Sequence, residues 1–103
     1  MTAVAGSDVY EVGEQIALAA QFGTEEEPFE PQRVIVRVRD PNGKMAELSH
    51  GVHDTVVKTG PGAYQIVVTA SVPGRWRYRF VGFGRGARAE HEGFFDVFDL
   101  ETG

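Results

Sequence analysis

Gly60-Pro61-Gly62-Ala63-Tyr64-Gln65-Ile66-Val67-Val68-Thr69-Ala70-Ser71-Val72-Pro73-Gly74-Arg75-Trp76-Arg77-Tyr78-Arg79-Phe80-Val81-Gly82-Phe83 is the stretch that decides the fold. It holds two alternating runs. In the first, Tyr64, Ile66 and Val68 share a face opposite Gln65, Val67 and Thr69. In the second, Trp76, Tyr78 and Phe80 stand opposite Arg75, Arg77 and Arg79. Alternation with period two marks half-buried strands. Pro73-Gly74 between the runs is a turn signal, since Pro presets φ and Gly tolerates positive φ. The expectation is a hairpin-like pair with an aromatic inner face and an arginine outer face.

The same rhythm continues on both sides. Residues 32–40 place Val34, Val36 and Val38 inward and Arg33, Ile35, Arg37 and Arg39 outward. Asp40-Pro41-Asn42-Gly43 then fits a type I turn, with a short return strand over 45–48. Residues 8–14 read as a short edge strand. Residues 15–22 put Ile16, Leu18, Ala20 and Phe22 on one face; Ala also suits a helical turn, but the short length and neighbouring strands favour a strand. Residues 23–31, with two prolines and three consecutive glutamates, form a polar loop in which Phe29 packs back on the body. Further short strands are expected at 55–58 and 94–98, with 87–92 irregular or weakly extended. Seven to eight short strands without a helix specify an all-β sandwich or barrel. The expected core is Ile16, Leu18, Phe22, Val34, Val36, Val38, Tyr64, Ile66, Val68, Trp76, Tyr78, Phe80, Phe95 and Val97.

The 103 residues allow one domain, expected over 8–99, with a flexible arm at 1–7 and a tail at 100–103. The absence of cysteine excludes disulfides and thiolate metal sites and leaves the redox compartment open. No apolar run is long enough to span a membrane, and residues 1–8 lack the basic and apolar regions of a signal peptide. Charge is uneven. Residues 1–31 carry seven acids and no Lys or Arg, whereas residues 32–103 carry net +2, for −5 in total. That balance argues against nucleic-acid binding, which rests on phosphate neutralisation.

The frame Tyr10-x-x-Gly13-Glu14-x-Ile16-x-Leu18, Val38-x-Asp40-Pro41-x-Gly43, Gly62-x-Tyr64, Pro73-Gly74-x-Trp76-x-Tyr78 and Phe95-x-Val97 resembles an immunoglobulin-like sandwich of two antiparallel sheets. It is similar to filamin-type and bacterial Ig-like repeats. More narrowly, it resembles small stand-alone Ig-like proteins encoded among bacteriophage and prophage head and neck genes, over about residues 10–98. The resemblance implies a non-enzymatic virion structural or accessory protein, made in the host cytoplasm, whose partners are other virion proteins or copies of itself. Antibody-type domains differ: here the paired cysteines are absent and the Trp lies on a late strand. Such sandwiches host many roles. The alternative is a bacterial Ig-like binding module for a glycan or small ligand, or an adhesin accessory.

The strongest candidate site is the outer face carrying Arg33, Arg37, Arg39, Arg75, Arg77 and Arg79, provided that strands 32–40 and 75–83 are neighbours. Like charges across strands are unfavourable. The face is therefore either neutralised by Glu90, Glu92, Asp96 and the acidic loop, or it docks an acidic partner or another copy through the planar guanidinium fork. A head-to-tail contact with the acidic first third of a neighbour would build a ring or array. Glu25, Glu26 and Glu27 are candidate contacts in that loop. Phe94 and Phe98, outward when Phe95 and Val97 point in, form an apolar patch that Val81 and Phe83 could extend. Direct nucleic-acid contact is disfavoured because the aromatics alternate inward, away from the arginines. No metal is expected: His50-x-x-His53-Asp54 falls short of a convergent set, and only His91 remains elsewhere. Gly82-x-Gly84-x-Gly86 opens no helix and is not a dinucleotide fingerprint. Ser7, Ser49 and Ser71 lie in no nucleophile elbow. No cofactor and no catalysis are expected.

Overall fold

The computed structural model describes residues 9–99 and the backbone of the strand Thr2–Val4; Met1, residues 5–8 and the tail expected at 100–103 lie outside the described residues. The strands are β1 (Thr2–Val4), β2 (Val9–Glu11), β3 (Gln15–Gln21), β4 (Arg33–Arg39), β5 (Met45–Ser49), β6 (Val57–Gly60), β7 (Ala63–Thr69), β8 (Gly74–Gly84) and β9 (Ala87–Phe98). They form a four-stranded sheet, β1-β3-β7-β6, and a five-stranded sheet, β2-β9-β8-β4-β5. The first is the A-B-E-D order of an immunoglobulin sandwich, and β9-β8-β4 is its G-F-C order. The fold is thus an all-β, immunoglobulin-like sandwich.

Alternation drives the layering. Ile16, Leu18, Ala20 and Phe22 of one sheet meet Val34, Val36, Val38, Trp76, Phe80, Phe95 and Val97 of the other, all buried. Trp76 stacks on Phe95 with ring centroids 5.8 Å apart, and Tyr10 meets Phe95 edge-on at 5.7 Å. Buried aromatics of this size dominate core energetics. Val68 and Tyr78, expected in the core, are partly buried against it, while Tyr10, Val56 and Ala70 join it.

Four expectations are corrected. First, β7 and β8 are not a hairpin pair but lie in different sheets. Residues 70–73 carry the chain across the sandwich. Buried Ala70 donates to Glu14 O and accepts from Gly13 N, both at 2.9 Å, and the Trp76 indole donates to Val72 O at 3.0 Å. Gly74, at φ 124°, turns the chain into β8 where an added Cβ would meet Pro41 at 2.6 Å. Second, residues 87–92 are not irregular. They continue one twelve-residue strand, β9, paired with β8 from Gly84↔Ala87 to Gly74↔Val97. Third, the sheets are not purely antiparallel, because the chain start is divided between their edges: β1 runs parallel to β3 and β2 parallel to β9. Fourth, the arm expected at 1–7 contains the paired strand β1.

Candidate functional site

β4 and β8 are neighbours, so their outward residues do share one surface. The register of β5, β4, β8 and β9 arranges it in transverse rows. Nearest the β8–β9 turn, Arg33 lies beside Phe83 and Arg88. Next come Ser49, Ile35, Val81 and Glu90. The third row is Glu47, Arg37, Arg79 and Glu92. The fourth is Met45, Arg39, Arg77 and Phe94. Beyond it, Arg75 faces Asp96.

The third and fourth rows have the same arginine pair at their centre and opposite electrostatics. In the third, an acid at each end neutralises the pair: Arg37 Nε reaches Glu47 Oε1 at 3.0 Å, and Arg79 reaches Glu92 Oε2 at 3.0 Å and Glu90 at 3.8 Å. In the fourth, the ends are apolar. Met45 and Phe94 are about half exposed, and neither Arg39 nor Arg77 has an ion pair among the described residues. Two arginines directly opposite each other without an acid are a local cost to the sheet. The row beyond is neutral again. Arg75 binds Asp96 through Nε at 2.8 Å and Nη2 at 3.1 Å, and its guanidinium lies 4.1 Å above the Phe94 ring. The hydrogen bond from Arg75 holds the Asp96 carboxyl below its ordinary range, and the same bond raises the Arg75 pKa.

The turn between β4 and β5 sets this registry. Gly43 donates to Asp40 O at 3.0 Å, Asp40 donates to Lys44 O at 2.9 Å, and Gly43 sits at φ 88°. This is a type I turn followed by a glycine bulge. The extra residue places Met45 opposite Arg39 and Glu47 opposite Arg37. Arg37, Arg39, Arg77 and Arg79, with Met45, Tyr78 and Glu92, line a shallow depression of about 330 Å³. A second recess of about 230 Å³ opens between the sheets, lined by Trp76, Leu48, Val68 and neighbours.

The other sequence candidates are distributed as follows. Phe94 belongs to the open row, and Phe98 is exposed further along β9, opposite Glu11. Val81 and Phe83 do not extend their patch: Val81 is buried, and the charged third row intervenes. Glu90, Glu92 and Asp96 neutralise arginines as expected, but the acidic loop does not. Glu25, Glu26 and Glu27 are exposed and make no ion pair among the described residues, whereas Glu30 binds Lys58 at 2.8 Å, which lowers its pKa, and accepts the Gly62 N–H. Arg33 sits at the loop's end of the sheet, outside the open row. His53 Nδ1 accepts the Ser49 N–H at 3.0 Å, and the His50 ring meets Tyr64 edge-on at 5.3 Å. Both histidines thus serve the β5–β6 loop. The described residues hold no group of three or more metal-ligating side chains. Met45 and Glu47 were not singled out from sequence. The Asp40–Gly43 turn could have found them, had its bulge been counted.

No family model matches the chain, and no curated protein is similar to it. Among solved structures, the chain is similar to part of a protein from Bacteroides vulgatus described as a "putative glycoside hydrolase", with a TM-score of 0.54 and 19% identity over 91% of this chain. The chain spans only 17% of that protein's length, and the likeness concerns the fold alone.

Proposed function

We propose that this protein is a non-enzymatic docking component of a bacteriophage virion, a structural or accessory protein of the head, neck or tail, that binds an acidic surface of a partner through the open arginine row. The observation that carries the reading is the contrast between adjacent rows. Arg37 and Arg79 are neutralised by Glu47 and Glu92, while Arg39 and Arg77 are left with Met45 and Phe94. A sheet that neutralises one such pair and not the next has a basic, apolar-edged strip of the kind a carboxylate-bearing partner fits. Arg is suited to it because the guanidinium binds carboxylate bidentately and stacks on aromatic rings. The virion setting rests on the motif resemblance.

The test is capture of tagged protein from lysate of phage-producing cells, with mass spectrometry of what is retained. Wild type retains head, neck or tail proteins. Arg39→Ser/Arg77→Ser loses them, while Arg37→Ser/Arg79→Ser keeps them. Virions that lack the protein altogether would end the structural reading. A second reading is a module for a small anionic ligand, such as an acidic sugar; the depression lined by Arg37, Arg39, Arg77 and Arg79 favours it. Micromolar binding on a glycan array by wild type, lost in Arg39→Ser/Arg77→Ser, would replace the first reading with the second.

A further inference from the structure

We infer that one partner of the open arginine row is a second copy of this chain, whose Glu25–Glu26–Glu27 loop docks on Arg39 and Arg77 so that copies join head to tail. This rests on the proposed docking role of that row and names its occupant.

The loop is built to present its acids. Gly23 and Pro28 close it with an isolated bridge, Thr24 N–H donates to Glu27 O at 3.1 Å, and Glu27 N–H donates to Thr24 Oγ1 at 2.9 Å. Its base is fixed by Phe29, which packs on the core and donates its N–H to Phe22 O at 3.0 Å. All three glutamates are exposed without a basic partner among the described residues. A preformed turn loses less freedom on docking than a floppy acidic run.

Loop and row stand at opposite ends of the outer sheet. The Phe29 ring lies against Gly84 at the far end of β8, where an added Cβ would be 2.8 Å from Cζ. β4 enters the sheet there, with Arg33 opposite Phe83, and reaches Arg39 six residues later, about 20 Å along the strand. The loop therefore cannot neutralise the row of its own chain. In a second copy displaced along the strand direction, three carboxylates face two unpaired guanidiniums, with Met45 and Phe94 shielding the contact edges. Because the second copy is displaced along the strand rather than turned about a two-fold axis, its own row stays free for the next loop, so the contact is heterologous and propagates as a ring or filament.

Sedimentation velocity with neutralising variants tests this. At low ionic strength, wild type shows concentration-dependent species heavier than the 11.3 kDa chain, and about 0.5 M salt returns it to monomer, because exposed charges are then screened. Arg39→Ser/Arg77→Ser alone and Glu25→Gln/Glu26→Gln/Glu27→Gln alone remain monomeric. Their equimolar mixture forms a single species of twice the chain mass and nothing larger, because only one intact loop meets one intact row. Urea midpoints near wild type verify that both variants are folded. Wild type that stays monomeric at millimolar concentration, or a mixture that stays monomeric, overturns the inference. The proposed docking role has a separate readout in hexaglutamate binding by wild type against Arg39→Ser/Arg77→Ser. Hexaglutamate binding that the variant loses, with a monomeric wild type, rejects self-assembly and leaves the row as a site for another protein. Equal binding by both rejects the row itself.

Discussion

Trp76 and Gly93 show how single positions fix the sandwich. Trp76 is 7% exposed, stacks on Phe95 and has its indole N–H satisfied by Val72 O. Trp76→Ala is expected to cost about 3–5 kcal/mol, through lost burial and the cavity left behind. A loss below about 1 kcal/mol in urea titration would contradict its placement in the core. Gly93 lies opposite Tyr78 on the inner face, where a Cβ would sit 2.6 Å from the Tyr78 hydroxyl and 2.7 Å from its Cζ. Gly93→Ala therefore overpacks that site and is expected to cost about 1–3 kcal/mol. Adding Tyr78→Ala relieves the clash, so the double variant is more stable than the single effects summed. Strict additivity in the same urea series would show that the ring does not cover Gly93.

The element that carries the candidate site is the β4–β8 ladder with its flanks β5 and β9. If Arg39 and Arg77 are held opposite each other for binding, the sheet is less stable for it. Arg77→Thr, which removes the repulsion and supplies a good strand former, is expected to stabilise the protein by about 0.2–1 kcal/mol. The same change at Arg79 destabilises, because it strands Glu92 beside Glu90. Destabilisation at Arg77 would mean that its charge is matched within the chain. The neighbouring Arg75–Asp96 pair gives a pH signature. Because the folded carboxyl titrates below its ordinary value of about 3.9, the pair's contribution is complete above that pH and disappears as pH falls through the lowered folded value. Urea midpoints of wild type and Asp96→Asn should therefore differ at pH 7 and converge toward pH 2. A gap independent of pH would show that no ion pair operates there.

Much of the sandwich was legible because alternation reports burial. Val34, Val36, Val38, Trp76, Phe80, Phe95 and Val97 all point inward as their spacing required. Alternation does not report sheet membership. A strand–Pro-Gly–strand pattern fits a hairpin and a crossing between sheets equally well, so β7 and β8 read as partners. What separates the cases is tertiary: Ala70 buried at the crossing and tied to Gly13 and Glu14, more than fifty residues away. The weak appearance of residues 87–92 has a similar origin. Arg88, Glu90 and Glu92 alternate on the solvent face of β9 and obscure a strand whose order comes from pairing with β8. Among the described residues, β2 covers β9 from Asp96 to Phe98, and charges along the remainder guard it against unwanted edge pairing. The arginine face was legible as a face. Its division into neutral and open rows was not, because one bulge residue at Gly43 decides which β5 side chain meets which arginine. Of the two alternatives for that face, neutralisation holds for Glu90, Glu92 and Asp96 but not for the acidic loop, which distance along β4 keeps from the open row.

Arg39 and Arg77 are available to a carboxylate, while Arg37, Arg75 and Arg79 are already occupied. Arginine Nε–Hε signals in 15N NMR, followed while hexaglutamate is added at low ionic strength, measure this residue by residue. Saturable shifts are expected at Arg39 and Arg77, with small shifts at the three paired arginines and loss of all of them at about 0.5 M salt. Shifts spread evenly over the five arginines, or absent at Arg39 and Arg77, would contradict that availability.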